Sequence, residues 1–136
     1  MRVAISACLA GIACRYNAKD KFSQKVMDRF KEDEVLLFCP EDAVLSTPRK
    51  PIDIIEKRLL QDKLDVTEEI ENEALKLVKE KPQIVVLKSK SPSCALKSAK
   101  SYSSEKIVLS EKETGVFAKV LLQKLPDTKF YEEIDL

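Results

Sequence analysis

The sequence predicts an α/β fold, with a mostly parallel sheet of about four or five strands flanked by helices. Short β-branched runs alternate with stretches of helical apolar spacing, the pattern of βαβ crossovers. One run, "QIVVLK" (83–88), is almost continuously apolar, as a parallel strand covered on both faces must be. The length of 136 residues suits one small domain, residues 1–136, and is too short for two separate cores. Together these describe a single small Rossmann-like domain.

Each element has its own signal. "RVAIS" (2–6) is the first strand, followed by a loop with Cys8, Gly11, Cys14 and "RYN". Phe22, Val26, Met27 and Phe30 recur at helical spacing and predict a helix over 21–32. "VLLFC" (35–39) is a short strand that Pro40 ends, because proline cannot donate to a ladder. Residues 41–64 read as irregular around "STPRKP", with room for a short helical stretch near 42–45 or 53–60.

Asp65 with Glu68 resembles a capping box for a second helix, striped by Ile70, Ala74, Leu77 and Val78 and closed by Pro82. After "QIVVLK" comes the serine-rich "SKSPSC", then a weaker strand, "KIVL" (106–109). Ser110 with Glu113 makes another capping-box pattern, ahead of a helix striped by Phe117, Val120, Leu121 and Leu125. "TKFYEE" (128–133) is the last strand.

Charge and composition exclude several function classes. With 24 basic and 23 acidic residues the net charge is +1, so no global field draws the chain to nucleic acid or to a membrane surface. The longest apolar runs fall far short of the ~20 residues of a membrane span. The opening "MRVAISACLAGIAC" lacks a basic n-region, and we read it as the first strand of a cytoplasmic protein. Histidine is absent, which removes imidazole as base, nucleophile activator or metal ligand. Proton chemistry must fall to Glu, Asp, Lys, Tyr, Cys or water.

The four cysteines carry the strongest functional signal. Cys8, Cys39 and Cys94 each lie just past the C-terminal end of a predicted strand. In an open α/β sheet those ends share one edge, where ligands bind. A single buried cysteine is most simply a small hydrophobe. Three at equivalent positions, each beside polar loop residues, argue instead for a shared site.

Structural zinc is poorly matched, since the only short pair is Cys8-x5-Cys14. A C-x-x-C redox motif is missing. An iron–sulfur cluster needs thiolates near one another in space but not in sequence. Three thiolates on a four-iron cluster would leave one iron open, a Lewis acid for a substrate oxygen or sulfur. Glu41, two residues beyond Cys39, is the best-placed carboxylate for proton transfer. Ser91 and Ser93 flank Pro92 just before Cys94 and offer hydroxyls, while Arg15, Arg49 and Lys88 offer donors for a polar or anionic substrate.

In order along the chain, "SACLAGIACRYN", "CPED" with "TPRKP", "DVT" and "LKSKSPSC" resemble the blocks of the domain of unknown function 523 family, across roughly residues 4 to 122. Its characterised branch is the thiouracil desulfidases. The resemblance implies a [4Fe–4S] cluster with three cysteine ligands, looking like Cys8, Cys39 and Cys94. It implies Glu41 as the catalytic acid, Ser91 as the assisting serine with Ser93 a near alternative, and Cys14 outside the ligand set. Two departures stand out: relatives commonly read "RYDGG" and "SPSCG" where this chain has "RYNAK" and "SPSCA".

The expectation is a non-redox desulfidase that removes sulfur, as sulfide, from a small thiolated heterocycle resembling thiouracil. The alternative is a non-enzymatic domain that holds zinc or a cluster for structure, or carries sulfur or metal to a partner.

Overall fold

A computed structural model describes all residues, Met1–Leu136. In chain order its elements are β1 (Arg2–Ser6), α1 (Gln24–Arg29), β2 (Glu34–Phe38), α2 (Pro40–Leu45), β3 (Asp53–Ile55), β4 (Arg58–Gln61), β5 (Leu64–Asp65), α3 (Thr67–Val78), β6 (Ile84–Leu87), β7 (Ala99–Tyr102), β8 (Val108–Glu113), α4 (Val116–Lys124) and β9 (Lys129–Glu132). A 3-10 turn, Ala7–Ala10, follows β1 directly.

The main sheet has four strands in the order β2-β1-β6-β9, and every pairing in it is parallel. This is the predicted parallel sheet, with helices on both faces. Alternation along its strands sorts the core in two. Ala4, Val85 and Leu87 face α3 and α4, packing with Ile70, Ala74, Phe117 and Leu121. Val3, Ile5 and Val86 face the other way, toward Val26 and Phe30 of the α1 region. Strand period two and helical stripes thus meet as the sequence implied. Fully burying each of the larger side chains, Val, Leu, Ile or Phe, contributes roughly 1.5–3 kcal/mol.

The strand ends are aligned. Ser6 pairs with Phe38, Ile5 with Val86, and Leu87 with Glu132, so four C-terminal strand ends lie side by side. The loops that leave this edge begin at Ala7, Cys39, Lys88 and Glu133.

The structure corrects several local expectations. Residues 53–65 are not irregular: β3, β4 and β5 form a meander in a second sheet, ordered β5-β4-β3-β7-β8 and mixed in direction. Its first hairpin turns on Glu56 and Lys57, with φ of 47° and 70°, a primed geometry usually signalled by Asn-Gly. With Glu-Lys there, the sequence carried no hairpin signal.

The short helix lies at Pro40–Leu45, where proline ends β2 and also takes the first helical position. Helix α1 is shorter than 21–32, because Ser23 caps it by accepting the Val26 N–H at 3.3 Å. Neither capping box forms as expected. Asp65 belongs to β5, accepts the Thr67 N–H at 2.9 Å and pairs with Arg58, and no bond comes back from Glu68. Ser110 and Glu113 lie within β8, so the helix begins only at Val116.

Candidate functional site

The loops at the aligned strand ends surround a cavity of about 600 Å³. All the residues singled out from sequence line it: Cys8, Cys39 and Cys94, Glu41, Ser91 and Ser93, and Arg15, Arg49 and Lys88. Cys14 lines it as well. The thiols arrive from both sides of the sheet. Cys8 and Cys14 belong to the core on the α1 face, and Cys94 to the core on the α3–α4 face. Only at the edge of the sheet can the two sets meet.

All four cysteines are free. Cys8 and Cys94 are 7% and 6% exposed, and burial raises both thiols, Cys8 to about 11. The Lys88 charge offsets part of the rise at Cys8, and the Glu41 charge adds to that at Cys94. Cys39 goes the other way. A hydrogen bond from the Cys14 thiol is the main cause that lowers it, helped by the Asp42 backbone and the Arg49 charge. The same bond pushes the Cys14 thiol up.

No three Cys, Asp or Glu side chains converge closely enough to hold a single metal ion. The four thiols around one cavity, with no competing histidine, are soft donors of the kind an iron–sulfur cluster takes.

Glu41 sits in the first turn of α2, placed there by Cys39 at the helix N-cap and Pro40. Its Oε2 accepts a 2.6 Å hydrogen bond from Ser93 Oγ and a longer one, 3.4 Å, from Ser91 Oγ. Its Oε1 lies 3.5 Å from Arg49 Nη2, with Glu41 13% and Arg49 4% exposed. Arg49 also donates to the carbonyls of Cys14 (2.8 Å) and Ser46 (3.0 Å) and to Thr47 Oγ1 (2.8 Å). One buried guanidinium thus ties the Cys14 loop, the 46–49 loop and Glu41 together, a fork that lysine could not reproduce.

Ser91 has a second task. Its Oγ accepts the backbone N–H groups of Ser93 (3.3 Å) and Cys94 (3.0 Å). It forms the tight turn that presents Cys94.

Lys88 belongs to a neighbouring polar group. Its Nζ lies 3.3 Å from Glu133 Oε2 and donates to the Ser89 carbonyl at 2.8 Å. Arg15 lies with its guanidinium over the Tyr16 ring, 5.8 Å from the centroid. Beside it Ala18 has φ of 59°, a conformation that glycine adopts freely and alanine does not. Ala18 lies within the "RYNAK" stretch of the sequence.

Sequence reasoning missed two residues that hold this site. Gly115 begins α4 so close to the cysteine loop that a Cβ there would lie 2.3 Å from the Ser93 carbonyl oxygen. That approach lets the Phe117 and Ala118 N–H groups bond the Ser93 carbonyl, at 2.9 and 3.2 Å, and Val116 N–H bond the Pro92 carbonyl at 3.2 Å. Its signal was rarity, since the chain has only two glycines. Glu132, fully buried, accepts at Oε2 from Leu96 N (2.9 Å), Lys97 N (3.1 Å) and Ser98 Oγ (2.6 Å). Nothing in "KFYEE" distinguishes it from a solvated glutamate.

Residues 3–133 match the family described as 2-thiouracil desulfurase. An uncharacterized protein of Bacillus subtilis, YbbK, is 34% identical over 108 residues, covering 68% of this chain and 72% of its own. Among solved structures, the [4Fe-4S]-dependent thiouracil desulfidase TudS superposes with a TM-score of 0.79 at 29% identity, covering 99% of this chain and 92% of its own.

Proposed function

The chain belongs to the 2-thiouracil desulfurase family, and on that premise we propose that residues 1–136 act as one cluster-dependent desulfidase of small thiolated heterocycles such as thiouracil. The observation that carries this reading is the juxtaposition, around one cavity, of three thiols with a carboxylate bonded to a hydroxyl. Cys8, Cys39 and Cys94 are the proposed ligands of a [4Fe–4S] cluster. When bound, such a cluster supplies an open iron, a Lewis acid that can take the thiocarbonyl sulfur.

The remaining chemistry belongs to the chain. Replacing a thiocarbonyl by a carbonyl consumes one water: the C=S bond is lost, a C=O bond forms, and both water protons leave with the sulfur as hydrogen sulfide. Glu41 is the proposed relay for those protons, taking one at Oε2 from the attacking water and returning it to the departing sulfur. Ser93 Oγ, 2.6 Å from that oxygen, directs it toward the cavity, and the longer Ser91 contact suits Ser91 to holding the turn. Arg49 Nη2, 3.5 Å from the opposite oxygen, helps to hold the carboxylate in this orientation. Lys88 and Arg15 are proposed to meet the polar edge of the heterocycle.

Nucleic acid and membranes are not proposed partners, given the near-neutral charge and helices that are nowhere long and apolar enough to cross a membrane. Four free thiols suit the reducing cytoplasm, where we place the protein. The test is anaerobic reconstitution with iron and sulfide, followed by 2-thiouracil. Broad absorption near ~400 nm with equimolar uracil and sulfide is expected. A brown protein without turnover would leave a cluster carrier, and a colourless protein would remove the cofactor.

A further inference from the structure

Four thiols line the cavity, and the proposed cluster uses three. The fourth, Cys14, is 4% exposed, and its backbone is met by the Cys39 side chain. Their segments are also fastened together: Cys39 Sγ lies 3.6 Å from the Cys14 carbonyl oxygen, and Arg49 and Thr47 bond the same carbonyl at 2.8 and 3.3 Å. Neither Cys8 nor Cys94 shares a hydrogen bond with Cys39, whose charge alone is felt at both. Of the four, Cys39 alone is half-exposed, the others being buried. That greater exposure makes Cys39 the thiol we assign to the first encounter with a small oxidant.

We infer that Cys14 and Cys39 form a reversible disulfide when a peroxide reaches the cavity of a chain without its cluster. This would be an oxidative modification site that withdraws Cys39 from the ligand set and returns it on reduction. The pairing rests on the 3.6 Å approach of Cys39 Sγ to the Cys14 backbone. Its consequence for metal loading rests on the functional reading above.

The chemistry balances in two steps. Cys39 sulfur attacks a peroxide oxygen; an S–O bond forms, the O–O bond breaks, and hydroxide leaves to be protonated to water. Cys14 sulfur then attacks Cys39 sulfur; the S–S bond forms, the S–O bond breaks, and the second hydroxide leaves with the Cys14 proton as water. Two thiols are oxidised by two electrons, and one hydrogen peroxide is reduced to two waters. Drawing the sulfurs to ~2 Å needs only local movement, because Ile12–Cys14 lies in a loop outside any helix or strand. Without Cys14, the first product at Cys39 has no resolving thiol and continues to sulfinic acid, which ordinary thiols do not reduce.

The experiment uses the full chain, reduced and free of iron, exposed to hydrogen peroxide, alkylated and mapped as peptides without reduction. The expected result is loss of two of the four thiols, with Cys14 joined to Cys39. A Cys39 bond to Cys8 or Cys94, or four surviving thiols, overturns the inference. In a parallel arm, Cys14→Val is oxidised, re-reduced and then loaded with iron and sulfide. Wild type should regain its full iron content, and the variant should lose most of it, with sulfinic acid found at Cys39. Equal recovery in both removes the protective role. If unoxidised wild type takes up no cluster, the functional reading fails, and the peptide map still decides the disulfide.

Discussion

Ser93 Oγ donates to Glu41 Oε2 at 2.6 Å, joining residues 52 positions apart across the mouth of the parallel sheet. The segments that follow β2 and β6 are brought together here, Glu41 two residues from Cys39 and Ser93 next to Cys94. In a chain without histidine this carboxylate–hydroxyl pair directs the first prediction.

Glu41→Gln keeps the size of the side chain and can still receive the Ser93 hydrogen bond, but it cannot take up a proton. The expected outcome is a folded protein with unchanged cluster absorption and a rate lower by about 10²-fold or more, the usual worth of one acid–base group. Single-turnover sulfide release measures it. A near-normal rate would move the role to water or to Lys88.

The two serines should separate. Ser93→Ala removes the short bond to Glu41 and should lower the rate with little change in iron content. Ser91→Ala removes the acceptor of the Cys94 and Ser93 N–H groups, leaving part-buried donors unpaired at roughly 1–3 kcal/mol. It should reduce both stability and cluster retention. Iron per chain and the urea midpoint, measured on both variants, check the split, and identical behaviour would contradict it.

Cys39→Ala should abolish iron binding, whereas Cys14→Val, prepared anaerobically, should bind iron as wild type does. Both thiols line the cavity, so proximity alone does not separate them. Iron and sulfide analysis decides. Equal loss from both would indicate a cluster closed by four thiolates, with no open position for a substrate.

Gly115→Ala tests the clamp under Cys94. Its φ of −63° is ordinary, so the cost is one of space: the added methyl would meet the Ser93 carbonyl and the Cys94 nitrogen, both backbone atoms that cannot turn aside. Overpacking of this kind costs about 1–3 kcal/mol. The thermal midpoint should fall, and with it iron retention, because the displaced strap carries Ser93 and Cys94. A fully stable variant with normal iron would show that the loop tolerates displacement.

Much of this was legible in the sequence. Alternating apolar periods specify strands covered on both faces and helices with one buried stripe, and chirality then leaves few ways to connect them. Cys8, Cys39 and Cys94 could be assigned to one edge because all follow strands that run in the same direction. Where the local signal was a cap, it was less reliable. Ser110 and Glu113 have the spacing of a capping box, yet Ser110 accepts the Lys112 N–H within an extended strand, since the same side chains serve turns as readily as helices.

By itself, then, the sequence determined the parallel sheet, the edge that carries the site and the set of residues gathered there, because periodicity and connection order are properties of the chain read in one dimension. Tertiary structure alone decided the second sheet, whose Glu56–Lys57 turn takes positive φ under the demands of strand pairing rather than of its residue types. It also decided that Ser93 and not Ser91 makes the short bond to Glu41, that Gly115 admits the cysteine loop against α4, that Glu132 is a buried acceptor, and that Cys14 meets Cys39. Each of these is a contact between segments far apart in the chain, settled to within an ångström by how two layers pack, and no local pattern of residues encodes a distance of that kind.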